Sequence, residues 1–129
     1  MSHEEFNKLV ETRLEEHEDD DLFGAGCCGH FALCALRRGL GELYCLKYPS
    51  GDIAHVFILC NDGKAFDRRG KITKDELMQC MTPFSLCPIS KSEVEEFNAR
   101  GHLTETNQKL VFDRAEEIIS VILNDIYDR

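Results

Sequence analysis

The chain has 129 residues, enough for one domain (1–129) that buries a hydrophobic core without disulfide or metal staples. Its formal charge of −9, with 24 acidic against 15 basic residues and no lysine- or arginine-rich run, argues against direct nucleic-acid binding by phosphate neutralisation and against docking on an anionic membrane. Seven cysteines, odd in number, two of them adjacent and most within apolar segments, indicate free thiols in a reducing compartment. The N-terminus is acidic without an apolar leader, and no segment approaches membrane-spanning length, so a cytoplasmic location is expected.

Ser2 with Glu5 forms a capping box, and Phe6, Leu9, Val10 and Leu14 fall on one face of a helix running to about Glu16. The acidic run from His17 to Asp21 reads as a solvated connection into Leu22, Phe23 and a glycine loop. From Cys28 to Leu36 nearly every position is apolar, which predicts a helix inside the protein, with Arg37 and Arg38 at its negative end and Gly39 as its stop. A thiol in the first turn of such a helix faces unsatisfied N–H groups and the positive end of the dipole, which favour a thiolate.

Residues 42–48 alternate and read as a strand, Pro49 to Asp52 as a turn, and Ile53 to Cys60 as a strand covered on both faces, with His55 as its polar exception. Asn61-Asp62-Gly63 closes a hairpin, and 64–67 returns before Arg68-Arg69-Gly70 ends the pairing. Thr73 caps a short helix to about Cys80, and Pro83 and Pro88 bracket Phe84 and Leu86 in an edge strand. A second capping box, Ser92 with Glu95, starts a helix that stops near Gly101. A last helix, from about Thr104 to Tyr127, buries Leu110, Val111, Ala115, Ile118, Ile119, Ile122 and Ile126. The result is an α+β fold: an antiparallel sheet packed against a buried helix that carries the cysteines, with further outer helices.

Cysteine nucleophilic catalysis needs a thiolate, a base that accepts and returns its proton, and a group that orients the base. Cys28, His55 and Asp67 supply these types, provided the hairpin brings the last two to one sheet face. A two-residue Asp62-Gly63 loop would set Asp67 opposite Ile58, on the face away from His55. A three-residue loop with Gly63 left-handed pairs Cys60 with Lys64 and Phe57 with Asp67, so that His55 and Asp67 become same-face diagonal neighbours. Asn-Asp-Gly suits the longer loop, because glycine takes the positive φ of its third position without steric cost. Other readings compete with each assignment: Cys28 as a packing residue, or Cys27 as the nucleophile instead, His55 as a core histidine, and Asp67 as a partner of Arg68 or Arg69. Cys34, Cys45 and Cys60 read as packing residues, and His3, His17 and His102 as exposed. His30 and Cys34 have ligand spacing on one helix face, but no Cys-x-x-Cys pair accompanies them, so neither metal nor cofactor is expected.

Residues 22–70, with Cys28-Gly-His-Phe-Ala-Leu opening a buried helix, His55-Val-Phe on a strand, Asp62-Gly63, and Asp67-Arg-Arg-Gly70, resemble the papain-like superfamily of cysteine hydrolases. The resemblance is to its compact transglutaminase-like members and to short bacterial or phage proteins with a similar pattern. It implies that Cys28 attacks, His55 serves as base and then acid, and Asp67 orients His55. Residues 15–27 contain neither Gln nor Asn, so the side-chain oxyanion donor usual in papain-like proteases is missing and the task falls to backbone N–H groups near Cys28. The chain also has no tryptophan, and His30-Phe31 stands where papains carry an aromatic, which fits the transglutaminase-like branch better.

Two functions follow as expectations. The first is a cysteine hydrolase or acyltransferase that acts through a thioester at Cys28 on a protein or peptide-like substrate, be it an amide, isopeptide or thioester. The second is a non-enzymatic acidic binding protein on the same fold, a phage-type antagonist of a host protein, with a vestigial site.

Overall fold

The computed structural model describes residues 1–24, 26–78 and 84–127, with the backbone alone for 125–127. Its helices are α1 (His3–Glu15), α2 (Asp19–Gly24), α3 (Cys28–Arg37), α4 (Lys74–Met78), α5 (Lys91–Ala99) and α6 (Glu105–Tyr127). The strands β1 (Gly41–Lys47), β2 (Ile53–Cys60), β3 (Ala65–Asp67), β4 (Gly70–Ile72) and β5 (Ser85–Pro88) form one antiparallel sheet in the order β4-β3-β2-β1-β5. The expected α+β class, with a sheet against a buried cysteine-bearing helix, is the architecture observed.

Eight consecutive residues of α3, Cys28 to Ala35, are buried. One flank meets the sheet through Leu43, Cys45, Val56, Ile58 and Phe66, and the other meets α5 and α6 through Val94, Val111, Ala115 and Ile119. Phe31 stacks on Phe66 and meets Phe23 in a tilted contact, which joins α2, α3 and β3 in one cluster. Burying an aromatic of this kind contributes roughly 1.5–3 kcal/mol from surface alone. The opposite sheet face carries a smaller core of Leu46, Phe57, Ala65, Ile72 and Leu77, so α4 covers what α3 does not. With both faces covered, β2 is the continuous apolar run that its sequence suggests.

The hairpin takes the three-residue form. Ile58 pairs with Phe66 and Leu59 with Ala65; Cys60 N donates to Lys64 O at 2.8 Å, Gly63 N donates to Cys60 O at 3.0 Å, and Gly63 has φ +83°. Asp62 Oδ1 accepts from Lys64 N at 3.0 Å inside the loop. The capping box of Ser2 and Glu5 is present at the start of α1, and β5 lies at the sheet edge as expected.

Four expectations are corrected. The acidic run is not a solvated connection: after His17, at φ +54°, residues 19–24 form α2, and Asp19 accepts a two-pronged ion pair from Arg114 at 2.9 and 2.6 Å. The capping box of α5 is Ser90 with Glu93 rather than Ser92 with Glu95; both spacings fit the pattern, and the earlier register buries Val94 and Asn98. The chain does not stop pairing at Arg68, because Asp67 pairs with Gly70 across a two-residue turn and β4 follows. Arg-Arg is flanked by the turn-forming residues Asp67 and Gly70: Asp67 Oδ1 accepts from Arg69 N at 2.8 Å, and Gly70 has φ +89°. On α6, Val111, Ala115 and Ile119 are buried, whereas Leu110 is 46% exposed because the helix meets α3 on a narrower stripe than its apolar content suggests. The ends expected at Cys80 and Pro83, and the side chain of Ile126, lie outside the described residues.

No helix among the described residues is long and apolar enough to cross a membrane, and the six described cysteines are free thiols.

A Cβ at position 63 meets no atom within 4 Å, so substitution there strains only the backbone. Gly63→Ala therefore lowers the unfolding free energy by about 1–2 kcal/mol, the left-handed penalty for an L-residue, and Gly63→Asn by visibly less, measured by urea denaturation.

Candidate active site

The site stands at the end of the sheet where β2 begins and β3 ends. His55 and Asp67 project from the face that carries Phe57, and His55 Nε2 lies 3.0 Å from Asp67 Oδ2. Cys28 occupies the first turn of α3, delivered there by the turn after α2, and its side chain interacts with the His55 ring. Because Nε2 is engaged by Asp67, Nδ1 is the ring nitrogen left for the sulfur. The structure thus brings together the three residues that the sequence singled out, Cys28, His55 and Asp67. Cys27, 1% exposed, is the N-cap of α3, and burial pushes its thiol up to about 12, which disfavours it as a nucleophile at neutral pH.

Asp67 is 2% exposed and fully engaged. Burial alone would raise its pKa, but His55 and Arg69 overcome that and hold the carboxyl well below the usual carboxylate range. Arg69 donates from its backbone N and its Nε to Oδ1, and from Nε and Nη2 to Oδ2, the last at 2.6 Å. Both roles weighed for Asp67, orienting His55 and pairing with an arginine, are therefore filled at once. Burial works against a charged His55, whose side chain is 13% exposed; Asp67 and then Cys28 outweigh it and raise the ring to about 9. Across neutral pH His55 is an imidazolium that donates from Nε2 to Asp67 and faces Cys28 with its other nitrogen. A thiol beside an imidazolium at a helix N-terminus has the surroundings of a reactive cysteine.

The N–H groups of Cys28 and Gly29, in the first turn of α3, have no intrahelical partner, and Cys27 offers the helix no side-chain cap. Gly29 also fits a tight space: a Cβ there would run into Oδ1 of Asn98 on α5, an atom that is buried without a hydrogen-bond partner. Nothing in the sequence marks Asn98, since its place depends on how α5 packs on α3. Gly29→Ala would gain helix propensity of about 1 kcal/mol yet must displace Asn98 or Val94. Its expected outcome is net destabilisation, read by thermal unfolding.

His30 shows the opposite fate for an imidazole. It is 1% exposed, neither ring nitrogen has a partner, the ring packs on Phe112 at 5.0 Å, and burial lowers it to about 4. It is a core residue. Cys34, with its sulfur 3.7 Å from the carbonyl oxygen of Phe112, and Cys45, 0% exposed, are packed into the core, and burial raises both thiols. Among the described residues no group of three His, Cys, Asp or Glu side chains is placed to hold a metal. His3 and His102 are exposed and stack on each other at 3.9 Å.

No family model, no curated protein and no solved structure matches the chain.

The two histidines give stability a defined pH dependence. His30, neutral when folded, loses stability as pH falls from about 6.5 toward 4, by roughly 3 kcal/mol in all. His55, charged when folded, contributes stability that is complete below about 6.5 and lost as pH rises through about 9. Unfolding free energy therefore peaks near pH 6–7. His30→Phe flattens the acid limb and Asp67→Asn the alkaline one, measured by denaturant titration across pH 4–9.5.

Proposed function

We propose that this protein is a cysteine hydrolase or acyltransferase with a papain-like, transglutaminase-like core, acting on an amide, isopeptide or thioester of a protein or peptide-like substrate. The observation that carries this reading is the position of His55, held at 3.0 Å by a buried, arginine-backed Asp67 and turned to Cys28 at the start of a buried helix. In the reaction the Cys28 sulfur attacks the acyl carbon, and the carbonyl electrons move to an oxygen received by the N–H groups of Cys28 and Gly29. Collapse expels the leaving amine or thiol, which takes the proton from His55 and leaves a thioester. His55, now neutral, removes a proton from water and directs it to the thioester carbon, and the acid departs as the sulfur is released. An amine in place of water gives acyl transfer. Asp67 keeps its charge throughout and fixes the ring's orientation.

The test is alkylation by iodoacetamide at neutral pH followed by peptide mapping. Cys28, although only 3% exposed, is modified at least tenfold faster than Cys87, which is more exposed and has no base beside it. Asp67→Asn slows modification of Cys28 by about tenfold or more, because His55 loses the carboxylate that favours its charged form. Preferential labelling of Cys87 would remove the activated thiol and with it this function.

A second reading, the acidic binding protein with a vestigial site, is favoured by one observation: Asp20, with its side chain 89% exposed, and Asp21 present carboxylates to solvent. Asp19 does not belong to that surface, since it holds Arg114. Under this reading a stoichiometric complex with a protein partner survives Cys28→Ala and is lost in the double variant Asp20→Asn, Asp21→Asn.

A further inference from the structure

Beside His55 lies a cavity of about 210 Å³, whose walls include Leu46, Tyr48, Leu77 and Phe84 and whose rim carries Arg68 and Arg69. Roughly 300–1,000 Å³ is usual for sites that take drug-sized ligands, so this one suits a single residue rather than a long segment. Two cations at one cavity stand out in a chain of formal charge −9.

They are bound differently. Arg69 is committed to Asp67. Arg68 is 18% exposed, with its guanidinium laid against Gly24, where a Cβ would come within 3.1 Å of Cζ. Among the described residues its one ion partner is Asp20, at 3.5 Å from Nε and without hydrogen-bond geometry, and Nε is buried with no hydrogen-bond partner. Since the Asp20 side chain is 89% exposed, that pairing is screened and weak. Desolvating a guanidinium without full pairing is costly, and its fork of donors fits a carboxylate or a phosphate; the small cavity, with Asp20 already placing a carboxylate at its edge, favours the former.

We propose that Arg68 receives a carboxylate of the substrate while Leu46, Leu77 and Phe84 hold an apolar group beside it, so that the acyl compounds processed at Cys28 carry an anionic group next to the scissile bond. This rests on the cysteine-hydrolase reading. Asp20 is the resident counter-ion that an incoming carboxylate displaces, and its exposure lets it leave at little cost.

The experiment compares alkylation of Cys28 by iodoacetate, an anion, with alkylation by iodoacetamide, its neutral counterpart. The ratio of the two rates is taken within each variant, so that changes in thiolate content cancel. The iodoacetate to iodoacetamide ratio falls at least fivefold in Arg68→Gln, falls less in Arg68→Lys, which keeps the charge without the fork, and rises in Asp20→Asn, an exposed position. A ratio unmoved by all three variants, with iodoacetamide still selecting Cys28, overturns the role of Arg68 and leaves the hydrolase reading standing. Failure of both reagents to select Cys28 over Cys87 overturns both. A protection arm separates two sources of the carboxylate. N-acetyl-leucine slowing modification of Cys28 identifies a chain-terminal carboxylate, and N-acetyl-aspartic acid α-amide doing so identifies an acidic side chain. Protection by neither, or equal protection by N-acetyl-leucine amide, counts against the proposal.

Discussion

The register between β2 and β3 is the constraint on which the site depends. Side chains alternate along a strand, so a slip of one residue would send Asp67 to the opposite face of the sheet from His55 and empty the space beside the ring. That register is fixed by a single left-handed residue, Gly63, and by the bond from Gly63 N to Cys60 O. The loop is remote from Cys28 in sequence and exposed to solvent. It acts only by setting which residues share a face, and everything electrostatic about the site follows from that choice.

Once the register is set, Asp67 performs two tasks with one carboxylate. It closes the turn into β4 by accepting from Arg69 N, and it holds Nε2 of His55. A buried carboxylate serving only the histidine would lack partners for its remaining lone pairs, and burial would push it toward neutrality. The arginine that completes its shell keeps it charged, and the charge in turn keeps His55 protonated. His30 makes the comparison internal to the protein: further removed from water and without a counter-charge, it stays neutral. Burial is common to both imidazoles, and the partner decides the outcome.

What the sequence revealed and what it hid divide along physical lines. The burial of α3, the span of β2 and the three-residue hairpin were legible because they depend on local periodicity and on the φ preference of one glycine. The meeting of His55 with Asp67 followed from the register by counting. What stayed hidden depends on contacts between distant residues. Asp19 looked like part of a solvated run because its partner, Arg114, is 95 positions away. The turn at Arg68-Arg69 has turn-forming types only at its flanks, Asp67 and Gly70, and the strand it leads into, β4, is three residues long. Asn98 against Gly29 has no local signature at all. The two overlapping Ser-x-x-Glu spacings near the start of α5 were equivalent by pattern and are distinguished only by which one buries Val94.

The clamp between Arg114 and Asp19 has a consequence for the order in which the site is built. Asp19 lies in α2, whose last residue, Gly24, precedes the turn that delivers Cys28, while Arg114 belongs to α6. During synthesis Cys28, His55 and Asp67 are all available to one another before residue 114 has been added. The segment that presents the sulfur is held in part by α1 and α3, with Arg13 donating to Asp21 O and Phe23 against Phe31, and its last tie comes from α6. The last helix of the chain thus completes the anchoring of the segment that presents the sulfur, through an ion pair that cannot form before residue 114 exists.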